Sequence, residues 1–350
     1  MKKIKFKVCS VCLLLITITM SCSKDADILE LEQMQSMTAT SSVEVSNDEI
    51  YNWIGRYTDD TKLAGLTLLG SHDAGTYELR SANYFPLNIM AACQSRGFTE
   101  QIERGVRVFD CRLSENMNFF HGSYYCHASL HNFVGASIDF LNKHPREFII
   151  ALVKAENAEG PGYVYNKHFQ EVVDRYGRNN FLFDKDLLNQ PISKLRGKIV
   201  IVTRYYEKES LGYIEGAPQI NWPDNTTQNP TSENNGCLRV GISDRYTAEP
   251  GTKTKVVKEV FPEILSTLEK DPTRWFIFYT TGYDSGARNK CNPFAYVEYF
   301  REEGGQSAII DRIAYLKKGG TIMLDFIEEW TYLRNYIFVH TAPSSKSVSE

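Results

Sequence analysis

The sequence predicts an α/β chain with one catalytic domain, closing as a (β/α)8-like TIM barrel with distortion or incomplete closure allowed for. Three observations predict it. About eight short apolar runs lie within roughly 290 residues. Segments with helical spacing separate them, as parallel strands require. Charged or imidazole residues stand at the C-terminal side of most runs, where a barrel gathers its functional groups. A doubly wound sheet is the competitor, but no Gly-x-Gly-x-x-Gly follows the first run.

Residues 1–21 read as a lipoprotein signal peptide. Lys2, Lys3, Lys5 and Lys7 precede the apolar stretch Val8 to Met20, which is short for a transmembrane span. Ile18-Thr19-Met20-Ser21-Cys22 has the form of a bacterial lipobox, which would make Cys22 the lipidated first residue of the mature chain. Ser23-Lys24-Asp25-Ala26-Asp27 resembles the acidic tract of surface-exported lipoproteins. The expectation is a cell-envelope lipoprotein, anchored through Cys22 to the outer membrane and open to surface exposure. Residues 22–46 read as a polar tether, 47–340 as the barrel and 341–350 as a polar tail.

Within the barrel, a first helix is expected over Asp48–Tyr57, capped by Ser46 or Asn47. Its Trp53 and Tyr57 share a face, suited to core packing or to a membrane-facing rim. The apolar runs are Leu66–Gly70, Val106–Leu113, Asn118–His121, Phe148–Val153, Lys198–Thr203, Arg239–Ser243, Trp275–Thr281 and Thr321–Phe326. Helices are expected over Phe98–Gly105, Leu130–Asn142, Val164–Tyr176, Thr254–Leu268 and Ala308–Lys317. Beyond Cys22, five cysteines follow (Cys93, Cys111, Cys126, Cys237 and Cys291), so at least one thiol is unpaired.

The run ends carry the chemistry. His72 and Asp73 follow the first, and Gly75 gives the backbone freedom to turn. Asp110 and Arg112 close the second, and His121 the third. Lys154, Arg204, Asp244 and Asp325 end later runs. Alternation places Val106, Val108, Asp110 and Arg112 on one face and turns Cys111 toward a helix. Two imidazoles supply a general base and a general acid. Carboxylates orient them, and an arginine fork suits a phosphate. That set describes phosphodiester cleavage with a nucleophile on the substrate itself. Glycoside hydrolysis has no use for paired imidazoles. Arg112 beside Asp110 opposes a bound cation, so no metal and no cofactor are expected. His127 and His131 have helical metal-ligand spacing but lack an intervening glutamate pattern. His144 reads as a turn residue and His168 as a helix-surface residue.

These residues resemble the bacterial phosphatidylinositol-specific phospholipases C, of the X-domain phosphodiesterase family. The likeness runs from about Glu49 to Trp330. It rests on Gly70-Ser-His-Asp-Ala-Gly-Thr76, Gly105-Val-Arg-Val-Phe-Asp-Cys-Arg112, Phe120-His-Gly122, the stretches ending at Lys154 and Arg204-Tyr205, Trp222-Pro-Asp-Asn225, Asp244-Arg-Tyr246 and Leu324-Asp-Phe326. The resemblance implies metal-independent phosphotransfer with His72, Asp73, Arg112, His121 and Asp325 as catalytic residues. His72 would pair with Asp325 as base, and His121 with Asp73 as acid. Asp110, Lys154, Arg204, Asp244 and Tyr246 would serve the substrate side, with Asp110 positioning Arg112. Family members often carry rim tryptophans; here Trp53 is present, while Gly282–Pro293 holds Asp284, Arg288 and Lys290 and no tryptophan.

The expected partners are an inositol phospholipid head group and a membrane surface, met by a monomer. Glycosylphosphatidylinositol anchors are a candidate substrate. A net charge of -4 argues against nucleic acid. The alternatives are a metal-dependent glycerophosphodiester or sphingomyelin phosphodiesterase, and a lipoprotein that binds inositol or glycan without turnover.

Overall fold

A computed structural model of the chain describes residues 44–205, 212–223, 225, 238–248, 250–259, 261–262, 266, 273–283, 292–316 and 320–343. The signal peptide, Cys22, the tether up to residue 43, Asp284, Arg288, Lys290, Cys237, Cys291 and the tail from residue 344 lie outside the described residues.

The central strands are β1 (Leu68–Ser71), β2 (Val106–Leu113), β5 (Ile149–Ala155), β7 (Ile199–Tyr205), β9 (Val240–Ser243), β10 (Trp275–Tyr279) and β11 (Thr321–Leu324). All pair in parallel, in the order β7-β5-β2-β1-β11-β10-β9. Their sequences are nearly continuous apolar runs because helices cover the outer face. Two short parallel strands, β6 (Phe181–Leu182) and β8 (Gln219–Asn221), line the far edge of β7 at different heights. Among the described strand pairings none joins β8 to β9, so the curled sheet is a distorted, open (β/α)8 barrel. Residues Val43–Glu350 form one compact unit.

The run Asn118–His121 is β3, and it is not a barrel stave. It turns back from β2 and pairs antiparallel with β4 (Tyr124–Ser129) through a tight turn at Gly122. Only Ser114 to Met117 separate β2 from β3, too few for the dozen residues a parallel crossover needs.

The first helix also departs from expectation. It covers Asn47–Tyr51 behind a Ser46–Glu49 capping box, and Ile54–Arg56 continues as a 3-10 turn. Trp53 and Tyr57 are buried, and Trp53 packs 5.2 Å from the Phe338 ring. A membrane-facing role for this pair is therefore overturned. The cause is Arg107, fully buried near the start of β2, whose guanidinium bonds the Ile50 and Tyr51 carbonyls and the Glu147 carboxylate at 2.8 Å. Glu147 in turn accepts from the Gly55 amide at 2.7 Å. The segment thus closes the N-terminal end of the barrel, opposite the strand tips.

The helices Leu130–Lys143, Gly162–Tyr176 and Gly305–Leu316 lie near their expected positions. The expected helix Thr254–Leu268 is described as Pro250–Glu259, with much of its second half outside the described residues. Helices Pro293–Glu302 and Thr331–His340 were not foreseen. His127 lies on β4 and stacks on Tyr84, whereas His131 is helical, so the pair does not share a helix face. His144 caps its helix end and meets Asn52, and His168 meets the Glu115 carbonyl. Cys93, Cys111 and Cys126 are free and buried.

Candidate active site

His72 follows directly on β1. Its amide donates to the Leu324 carbonyl at 3.0 Å, fixing the tip of β1 against β11. Gly70 makes that approach possible, since a Cβ there would stand 2.1 Å from Met323 Sδ. The left-handed residue in the following turn is Asp73, at φ 43°, not Gly75. Gly75 is required for a different reason: a Cβ there would lie 2.3 Å from the Phe119 ring.

From these positions two His-carboxylate pairs assemble. His72 Nδ1 lies 2.7 Å from Asp325 Oδ1. His121, delivered by the β3–β4 hairpin, has Nε2 3.6 Å from Asp73 Oδ2 and donates from Nδ1 to the Ala91 carbonyl at 2.7 Å. Asp73 Oδ2 also lies 3.3 Å from His72 Nε2, so this carboxylate reaches both imidazoles, and Arg112 stands beside His72. Its Nη2 is 2.7 Å from His72 Nε2, and its Nε hydrogen-bonds Asp110 Oδ2 at 3.0 Å. Asp73 Oδ1 is 2.8 Å from Arg112 Nε, an ion pair without hydrogen-bond alignment.

The strand register accounts for the cations. Arg112 pairs in register with Lys154, and Lys154 with Arg204, so three neighbouring strands bring positive charge to one level. Arg204 Nη1 bonds Asp110 Oδ1 at 2.9 Å, and its guanidinium lies 3.8 Å over the Trp222 ring. Trp222 donates to Asp244 at 2.9 Å, and Tyr246 stacks on Tyr283. Lys154 pairs with Glu156, which also accepts from the Gly122 amide. A cavity of about 450 Å³ opens here, lined by His72, Arg112, His121, Lys154, Arg204 and Asp244 among others, with Tyr246 and Asp325.

Asp110 is placed differently from the expected substrate-side role. It is fully buried, does not line the cavity, and holds Arg112 and Arg204 with one oxygen each. Cys111 is buried away from the cavity, near Tyr165 of the helix Gly162–Tyr176, as alternation requires.

Electrostatics follow from burial and from these partners. Burial, then the Arg112 charge, hold the His72 imidazole well below its ordinary range, so it stands neutral near pH 7. Burial and the Asp73 charge push the Asp325 carboxyl up, and burial also raises Asp73. Burial would raise Asp110 too, but Arg112 and Arg204 outweigh it and hold the carboxylate ionised. The same carboxylates keep Arg112 firmly protonated despite its burial.

Sequence reasoning missed several groups in and around this cavity. Gln94 is fully buried behind it; its Nε2 donates to the His72 carbonyl at 2.9 Å and the Leu324 carbonyl at 2.8 Å, while Oε1 accepts from the Ile327 amide at 3.3 Å. Tyr279 sets its ring edge-on to His72 and its hydroxyl 3.3 Å from Arg204. Lys253 is buried, bonded to the Tyr279 carbonyl, and depressed by burial to about 8. Cys93 lines the cavity with Sγ 3.9 Å from Asp73 Oδ2. Gln94 and Cys93 sit in a loop with no periodic signal. Tyr279 reads as core within Trp-Phe-Ile-Phe-Tyr.

No protein-family model matches the chain. A 1-phosphatidylinositol phosphodiesterase of Staphylococcus aureus (strain Newman) is 28% identical over 233 residues, spanning 63% of this chain and 72% of that protein. A 1-phosphatidylinositol phosphodiesterase of Listeria monocytogenes is 28% identical over 162 residues, covering 45% of this chain and 50% of that protein. Among solved structures, a phosphatidylinositol-specific phospholipase C from S. aureus matches with a TM-score of 0.65 at 22% identity, over 82% of this chain and 97% of that one. The L. monocytogenes phosphatidylinositol-specific phospholipase C matches with a TM-score of 0.64 at 20% identity, over 82% and 97%. At such identities the structural likeness speaks for the fold.

Proposed function

We propose that this chain, a homologue of the bacterial phosphatidylinositol-specific phospholipases C, cleaves phosphatidylinositol to diacylglycerol and 1D-myo-inositol 1,2-cyclic phosphate. One observation carries the reading. Two imidazoles, each backed by a carboxylate, share the wall of one cavity with a guanidinium that touches the first of them.

Each group then has a task. Neutral His72, its Nδ1 held by Asp325, takes the proton of the inositol 2-hydroxyl. That oxygen attacks phosphorus, and the diacylglycerol oxygen leaves with a proton from His121. The nucleophile and the phosphate sit on one ring, so little orientation entropy remains to be lost. Arg112 faces the charge that grows on the phosphate oxygens. It is fixed before substrate arrives by Asp110, which spares the reaction that reorganisation. Lys154, Arg204, Asp244 and Tyr246 surround the space left for the ring hydroxyls. Catalysis in this scheme uses side chains alone, without a cofactor.

The lipid is met at the cavity mouth. Phe85 is 73% exposed, Met90 57% and Ile89 44%, and Met90 itself lines the cavity. An apolar edge beside a polar cavity suits a bilayer surface. No described helix is long and apolar enough to cross a membrane. Membrane attachment through a lipidated Cys22 belongs to the same proposal and rests on the basic and apolar residues that precede it.

The test is phosphorus NMR of the product formed from phosphatidylinositol vesicles with a chelator present. A cyclic phosphodiester signal is expected first. Direct formation of inositol 1-phosphate, or turnover only after a divalent cation is restored, would overturn the reading.

A further inference from the structure

We propose that His72, Asp73 and Cys93 form a binding site for a zinc-class divalent cation, open to the catalytic cavity. Three donors of different chemistry meet there, all within 4.8 Å of one another. His72 Nε2 is 3.3 Å from Asp73 Oδ2, and Cys93 Sγ is 3.9 Å from the same oxygen. Ordinary zinc bond lengths in a tetrahedron give edges of about 3.4 Å for nitrogen to oxygen and about 3.6 Å for sulfur to oxygen. The two edges that meet at Asp73 thus lie within a few tenths of an ångström of that geometry, and the imidazole-to-sulfur edge, held within 4.8 Å, must shorten to about 3.6 Å as the metal binds.

The surroundings complete the arrangement. A histidine that binds a metal through Nε2 ordinarily hands its other ring nitrogen to a carboxylate, and Asp325 already holds His72 Nδ1 at 2.7 Å. His72 and Cys93 line the cavity, so a fourth ligand position faces solvent or a bound molecule. Thiolate with imidazole selects zinc or cadmium over calcium or magnesium, which prefer oxygen alone. The thiol proton passes to solvent as the sulfur binds.

Arg112 is the competitor. Its Nη2 lies 2.7 Å from His72 Nε2, and a cation must displace that contact. Metal binding and the Arg112–His72 contact are therefore mutually exclusive. The cation takes the imidazole lone pair that the proposed reaction uses, so it inhibits. That consequence rests on the proposed function, whereas the site itself does not.

The experiment titrates the chelator-treated full chain with cadmium, following the ultraviolet thiolate-to-metal charge-transfer band, and then displaces cadmium with zinc. One equivalent should saturate the band, and excess calcium or magnesium should leave it unchanged. Cys93→Ala and Cys93→Ser should lose the band and bind at least about 100-fold more weakly, since even outer partners of metal ligands are worth 10–100-fold. Cys111→Ala should keep it. The serine variant serves if alanine fails to fold, with Asp73→Asn as a further ligand loss. A band of full strength and affinity in both Cys93 variants, or its displacement by calcium, would overturn the site. Binding without inhibition would leave the site standing and count against His72 as the base.

Discussion

Replacing Gln94 by Met should damage both stability and turnover, because its amide ties the two halves of the His72–Asp325 pair from behind. Methionine keeps the length and apolar bulk of the side chain and removes three hydrogen bonds: two to the carbonyls of His72 and Leu324, and one from the Ile327 amide. At about 1 kcal/mol net per bond, the loss is about 3 kcal/mol, and more if the Ile327 amide is left buried without a partner. For a domain of this size the melting temperature should fall by roughly 5 °C. The chemical step should suffer separately. His72 and Asp325 sit on different strands, and an error near 1 Å in their placement costs on the order of 100-fold in rate. Gln94 does not line the cavity, so the loss should fall on kcat and leave KM nearly unchanged. The assay is steady-state turnover of a soluble inositol phosphodiester well below the lowered melting temperature, beside a thermal melt. A melting temperature within 2 °C of the parent (roughly 1 kcal/mol or less), with unchanged kcat, would refute the reasoning.

Arg112→Lys should lower kcat by roughly 10²–10³, since an ammonium cannot meet Asp110, His72 and a phosphate oxygen at once; single-turnover rates would check it. The pH profile of kcat/KM follows from His72, which must be neutral to act as a base. Burial and Arg112 depress its pKa, so the acid limb should lie below pH 6.5, with activity lost as pH falls through the lowered value; a limb at or above 6.5 would contradict this. Gly75→Ala should destabilise by about 1–3 kcal/mol, because its methyl would collide with the buried Phe119 ring. Chemical denaturation would measure it.

The strand tips were legible because their message is local. A run that ends in Ser-His-Asp places its polar groups wherever the strand ends, and alternation separates Asp110 and Arg112 from Cys111 without knowledge of the partners. The remainder depended on contacts between distant segments. Arg107 and Glu147 look like ordinary polar positions until the fold buries them against each other, and only then does the Trp53 segment belong to the barrel floor. Gln94 acts through backbone carbonyls of two strands separated by most of the domain, a role no residue spacing encodes. The hairpin that delivers His121 could have been inferred from the short gap after Leu113, since four residues rule out a crossover.

Asp110 has a consequence beyond charge balance. One rigid carboxylate spans two guanidinium groups, one beside the imidazoles and one among the groups left for ring hydroxyls. It fixes their separation the way a spacer sets the jaws of a gauge. In the proposed reaction, a head group with its phosphate and far hydroxyls at another distance would satisfy one arginine and strain the other. Selectivity for the inositol ring would then reside partly in a side chain that never touches it.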